Sequence, residues 1–170
     1  MKKLILILAV VLPMAVLAQK SPVDRLFAKY ANQKGFTTVN ISGKLLSFAS
    51  QVDVGNDEAS KMMSELKGIR ILSVEDNELN KKVDFYAELE KDGFFKNNDY
   101  EVLMEVTEDN EVVRFLAKDA GNGKISDLLL VVGGDDNALI NISGMIDPQN
   151  ISKITKSLDI DLGDIDINKK

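Results

Sequence analysis

What most constrains the fold of this chain is a change of hydrophobic period at its midpoint. From residue 100 onward apolar side chains recur at every second position. Tyr100, Val102, Met104 and Val106 alternate with Glu101, Leu103 and Glu105, and Val113, Phe115 and Ala117 alternate with Arg114, Leu116 and Lys118. A repeat of two belongs to a strand with one face turned inward. Glu108-Asp109-Asn110 separates the two runs as a turn, so they are expected to pair as a hairpin. Gly121-Asn122-Gly123 makes a second turn, and Gly133-Gly134-Asp135-Asp136-Asn137 a third. Between them Leu128 to Val132 is apolar at every position, as a central strand covered on both faces must be. Ala138 to Met145 completes a four-strand meander.

The first half reads mainly as helix. Ser21-Pro22-Val23-Asp24 is a cap followed by a proline at the first helical position, and Val23, Leu26, Phe27 and Tyr30 then recur at helical spacing. Phe36 to Ile41 is a short strand. Leu45, Phe48, Ala49 and Val52 mark the apolar face of a second helix. A third spans Asn56 to Lys67, with acids first, Lys67 last and Gly68 as its stop. Ile69 to Val74 is the second strand, and Leu79, Val83, Tyr86 and Leu89 mark a longer helix ending near Gly93. Asp147-Pro148 opens a last helix carrying Ile151, Ile154 and Leu158. Strand meanders flanked by helices predict an α+β two-layer sandwich, its helices on one face of a mixed, mostly antiparallel sheet. The mixed character would come from the first two strands, whose long connection permits a parallel pairing.

The ends differ from this body. Met1, Lys2 and Lys3 precede an apolar run from Leu4 to Leu17, and Val16-Leu17-Ala18 supplies the small residue at which a leader is cut before Gln19. The run is shorter than the ~20 residues that span a bilayer. Residues 1–18 are thus read as a cleavable secretory signal, 19–158 as one domain and 159–170 as an acidic tail. With no cysteine, the chain cannot be processed as a lipoprotein or form disulfides. The signal holds two lysines and no acid, so the remainder carries a formal charge of −8, against −6 for the whole chain. That balance excludes a nucleic-acid binder, which needs a basic face to neutralise phosphates. It also disfavours docking on anionic lipid.

Residue types remove further chemistry. Without histidine or cysteine, no Ser–His–Asp or Cys–His nucleophile can be assembled within the chain, nor an imidazole or thiolate zinc site, nor the usual ligation of haem or iron–sulfur clusters. Carboxylates remain. Glu101 with Glu105, or Asp135 with Asp136, are candidates for acid–base work, better explained as a wet sheet face and a turn. Calcium takes oxygen ligands, and Asp135 and Asp136 in the third turn, with Asp159 and Asp161 in the tail, are its candidates. Neither stretch has the EF-hand spacing. Gly123-Lys124 runs into a strand rather than opening a helix, so it is a turn and not a phosphate cradle. Asn40, Asn141 and Asn150 each begin an Asn-x-Ser triplet, read here as structural.

Two tetrapeptides repeat. Asn40-Ile41-Ser42-Gly43 and Asn141-Ile142-Ser143-Gly144 each read as the end of a strand before a helix, corners in which Ser caps and Gly permits the bend.

The segments Phe27-Ala28-Lys29-Tyr30, Phe36-Thr37-Thr38-Val39-Asn40-Ile41-Ser42, Tyr100-Glu101-Val102-Leu103-Met104-Glu105-Val106, Ile125-Ser126-Asp127-Leu128-Leu129-Leu130 and Ile142-Ser143-Gly144-Met145-Ile146-Asp147, taken with the signal, carry a resemblance. The chain is similar to the domain-of-unknown-function family 4252, exported proteins of Gram-negative bacteria. Asp127 stands where the family's Ile-x-Glu-Leu pattern has glutamate. The resemblance implies a periplasmic or outer-envelope location and brings no activity, cofactor or catalytic residue.

Three functions follow as expectations. The first is a non-catalytic exported module that binds another envelope protein. Its contact would include Ile160, Leu162, Ile165 and Ile167 of the tail, added as a strand to an open edge. The second is a small-ligand carrier with a pocket lined by Phe27, Tyr30, Phe48, Phe85 and Phe115. The third is a carboxylate hydrolase.

Overall fold

The computed structural model describes residues 20–52, 57–97 and 99–150. Its elements in chain order are α1 (Pro22–Tyr30), β1 (Phe36–Ser42), α2 (Gly43–Val52), α3 (Asp57–Glu65), β2 (Leu66–Val74), α4 (Asn77–Asn80), α5 (Phe85–Lys91), α6 (Phe94–Asn97), β3 (Tyr100–Glu108), β4 (Glu111–Gly121), β5 (Lys124–Gly133) and β6 (Ala138–Ile146). A 3-10 turn at Pro148–Asn150 follows. The helix expected to run on through Ile151, Ile154 and Leu158 lies outside the described residues, as does the tail.

The strands form one six-stranded sheet in the order β1-β2-β6-β5-β4-β3. The meander is as the alternation predicts, with each of β3 to β6 pairing with the next. β1 and β2 are neighbours too, but antiparallel, so the sheet is antiparallel throughout rather than mixed. Their connection is a helical hairpin, α2 and α3, which returns the chain to the end of β1 it left; a parallel pairing would need it to cross to the other end.

Alternation along the strands feeds two cores. Leu72, Val74, Leu116, Leu129, Val131 and Leu139 face one way, toward Val23, Leu26, Phe27 and Tyr30 of α1, Phe85 and Leu89 of α5 and Phe94 of α6. Ile69, Phe115, Leu128, Leu130, Ile140 and Ile142 face the other way, with Leu46 of α2 and Met62 of α3. Helices therefore meet both faces, not one. β5 is buried on both, which explains its unbroken apolar run.

Local chemistry places the helices. Ser21 Oγ accepts the Asp24 amide at 3.0 Å and caps α1. The expected long helix from Leu79 to Leu89 is two, because Asp84 caps a fresh start by accepting the Ala87 amide at 2.8 Å. Gly93, at φ 73°, ends α5 and admits α6, too short to show a period in sequence. Helices of seven and four residues do not persist alone. Burial of Phe85 and Phe94, about 2–3 kcal/mol each, holds them. Gly68 does not stop α3; β2 has already begun at Leu66.

Two buried amides lock the β5–β6 turn to the α4–α5 connection. Asn137 accepts the Phe85 amide at 2.8 Å and donates to the carbonyls of Val83 (2.9 Å) and Gly134 (3.1 Å). Asn80, buried beside it, offers its own side-chain oxygen at 3.3 Å.

The α2 face is corrected. Leu46 is the residue packed into the core, while Leu45 and Phe48, expected inside, are 57% and 55% exposed. α2 starts directly at the end of β1, and that fixed entry, not the apolar count, sets which side meets the sheet.

Candidate protein-docking surface

The outermost strand β3 carries the candidate surface. Val102, Leu103 and Val106 are 51%, 51% and 43% exposed on it. They gather there because of a bulge. Val102 pairs with Leu116 and Met104 with Phe115, which leaves Leu103 as an extra residue without a partner on β4. Leu116 and Phe115 belong to opposite cores, so the bulge also switches the face on which alternate residues point. The strand thus shows apolar side chains on both sides of its edge.

Three acids fringe this row. Glu105 is held by the Arg114 guanidinium, which lies over the rings of Tyr86 and Phe95 at 4.9 and 4.8 Å from their centroids. Glu101 is exposed opposite Ala117, and Glu108 exposed near the turn. Because of the bulge, Glu101 and Glu105 stand on opposite faces of the sheet and do not form an acid–base pair.

On the face that α1 covers lies a polar cluster that periodicity does not reveal. Arg70 donates to Asp24 Oδ1 at 2.7 Å and to Asn141 Oδ1 at 2.8 Å, with its guanidinium 4.5 Å from the Phe27 ring centroid. Burial would raise the Asp24 carboxyl, but hydrogen bonds from Arg70 and Ser21 and the charge of Arg70 outweigh it and hold it below the ordinary value. Burial dominates at Asp127, whose carboxyl is pushed up despite Lys118 and a hydrogen bond from Asn141. Burial and the Asp127 charge push the Tyr100 phenol up to about 12. Arg70, Asp24 and Asn141 are partnered with one another, and they tie α1 to β2 and β6. The legible sign was Arg70 itself, a charge inside the apolar run from Ile69 to Ile71.

The remaining candidates separate. Asp135 lines a cleft of about 280 Å³ with Glu108, Asp109, Asn110 and Glu111, while Asp136 turns away to accept from Asn80 at 3.5 Å. Among the described residues no group of three or more acids is arranged to hold a metal ion. Asp159, Asp161, Ile160, Leu162, Ile165 and Ile167 lie outside the described residues. The five aromatics proposed to line a carrier pocket do not meet. Phe27, Tyr30 and Phe85 belong to one core, Phe115 to the core on the opposite face, and Phe48 is exposed. Among the described residues no helix is long and apolar enough to cross a membrane.

No curated protein and no solved structure matches the chain. The family described as Domain of unknown function (DUF4252) matches residues 30–154, a span that starts at the last residue of α1 and takes in the whole sheet. With well over half its length matched, the chain belongs to that family.

Proposed function

We propose that this chain is a non-catalytic exported module that binds another protein along the β3 edge. The observation that carries the reading is the row of Val102, Leu103 and Val106, left half exposed on an outermost strand and fringed by Glu101, Glu105 and Glu108. An extended segment can add to such an edge by main-chain hydrogen bonds, with side chains supplying specificity. The fringe selects its chemistry: apolar side chains to cover the row, lysines or arginines to meet the acids. The leader-like residues 1–18 support export, and the lack of histidine and cysteine supports a binding rather than a catalytic role.

The test is affinity purification of the tagged protein from native envelope, with quantitative mass spectrometry, beside a Val102→Lys/Val106→Lys variant. Both positions are exposed, so the variant keeps the fold. A stoichiometric companion bearing a basic, apolar extended segment, lost in the variant, is the expected result. A partner-free wild type, or a companion that the variant retains, overturns the reading.

A further inference from the structure

The sheet's other edge, β1, is built differently. Phe36–Ser42 contains no charged residue and no proline, and it pairs with β2 through seven consecutive partners without a bulge. Its middle, Thr38, Val39 and Asn40, is exposed, with Val39 at 36%. Proteins guard open edges with bulges and charges, because a flat uncharged edge pairs with whatever strand meets it. β3 has a bulge and three acids, which restrict it to a segment of matching shape and charge; β1 has neither.

We propose that β1 is a self-association edge, occupied by β1 of a second copy of this chain in an antiparallel arrangement about a two-fold axis at Val39. Charge argues for a copy as the occupant. The chain has a formal charge of −6, so two copies repel unless the surfaces that meet are uncharged. β3 fails that condition, since two copies would bring Glu101, Glu105 and Glu108 of each together. β1 meets it. Glu75, beside the strand, is engaged by the Thr37 hydroxyl at 2.7 Å.

The register is self-complementary. With Val39 opposite its own copy, Thr38 meets Asn40, Thr37 meets Ile41 and Phe36 meets Ser42, and no like charges oppose one another. Because β1 has no bulge, Thr37, Val39 and Ile41 share one face in both copies, and the two sheets become one continuous sheet.

A strand pair alone is a small contact. α2 adjoins it: it leaves β1 at Gly43 and packs Leu46 into the core that Ile41 also joins, on the face that Val39 shares. Leu45 and Phe48 of the same helix are more than half exposed.

The absence of cysteine makes the test clean. Sedimentation and light scattering of the purified chain are expected to show a dimer, and Val39→Lys to weaken it at least tenfold without changing the circular dichroism. Residues facing across an antiparallel pair have Cα atoms about 4.5–5.5 Å apart, within disulfide reach. Val39→Cys is therefore expected to give a disulfide-linked dimer on mild oxidation, and Thr107→Cys on β3 to remain monomeric. A wild type monomeric up to roughly 100 μM overturns the proposal, because a specific interface of ordinary size associates below that. So does a dimer that survives Val39→Lys and gives no cross-link in the Val39→Cys variant. Either result leaves the β3 reading standing, since that rests on the Val102→Lys/Val106→Lys comparison.

Discussion

Asn40 and Asn141 stand on the same rung of the sheet, each a register partner of Arg70, one on either side of β2. The relation extends along both tetrapeptides: Ile41 and Ile142 flank Ile69, and Ser42 and Ser143 flank Gly68. The repeat seen in the sequence is thus a repeat in space, two parallel segments embracing one strand. The second copy is not a corner before a helix, as expected, but the interior of β6. Its glycine is used differently from a corner glycine. Gly144 has φ 137°, and a Cβ there would lie 2.6 Å from both the Glu65 carbonyl oxygen and the Leu66 Cα.

Gly144→Ala is therefore expected to cost about 3 kcal/mol or more, since the backbone conformation and the close approach both penalise a side chain. Gly121 also has positive φ, but a Cβ there meets nothing within 4 Å. Gly121→Ala is expected to cost only about 1 kcal/mol, for the conformation alone. Urea unfolding of the two variants checks the difference; equal losses would show that the close contact at Gly144 does not matter.

Asn137→Ala is expected to destabilise the domain by about 3 kcal/mol. Asn137 is 2% exposed, and its removal strands the Phe85 amide and two carbonyls away from water. Hydrogen exchange should open first at the start of α5. If exchange there is unchanged while stability falls, the amide does not lock α5 to the turn.

Two carboxylates of the Arg70 cluster respond to pH in opposite senses. The folded state lowers the Asp24 carboxyl, so its contribution is present above the ordinary value of 3.8 and lost as pH falls through the folded value. The folded state raises the Asp127 carboxyl, so its contribution is present below 3.8 and lost as pH rises through the folded value. At neutral pH ionised Asp127 therefore opposes folding. Asp127→Asn is expected to raise the thermal midpoint at pH 7 and Asp24→Asn to lower it. Opposite shifts, measured by calorimetry, would reverse both assignments.

At the alkaline end Tyr100 governs the cluster. With the phenol pushed up to about 12 from 10, folding holds a proton that the unfolded chain has released. Stability is expected to fall as pH rises from 10 toward 12, and Tyr100→Phe to flatten that slope. Denaturant midpoints across this range report it; an equally steep slope in the variant would place the titration elsewhere.

Arg114→Ala is expected to cost about 1–2 kcal/mol, because its guanidinium joins Glu105 on β3 to Tyr86 on α5 and Phe95 on α6. Lysine should rescue only part of this loss, as it cannot stack its charge flat on two rings. Full rescue by Arg114→Lys would reduce the contact to simple charge pairing.

What was legible in the sequence was what depends on neighbours in the chain. The meander could be read because each strand announces itself every second residue and each turn by its glycines and acids. The cap at Ser21 needed only Pro22 and Asp24 beside it. What was missed depends on distant partners. Arg70 and Asn141 are 71 positions apart, and no local period links them. Leu45 and Phe48 look like a helix face, and only the way α2 leaves β1 turns them outward. The exposed apolar row on β3 arises with a bulge at Leu103, a slip in pairing rather than a residue pattern. That β1 and β3 are edges at all follows from strand order.

That order has a consequence for how the protein comes into being. β6, last in sequence among the described strands, sits in the middle of the sheet, between β2 and β5. Until residue 146 arrives, the β1–β2 pair and the β3–β5 ribbon have no common strand to join them, and both cores stay open. Whatever pairs earlier, the sheet cannot close until β6 is in place, because it is the strand that joins the two groups.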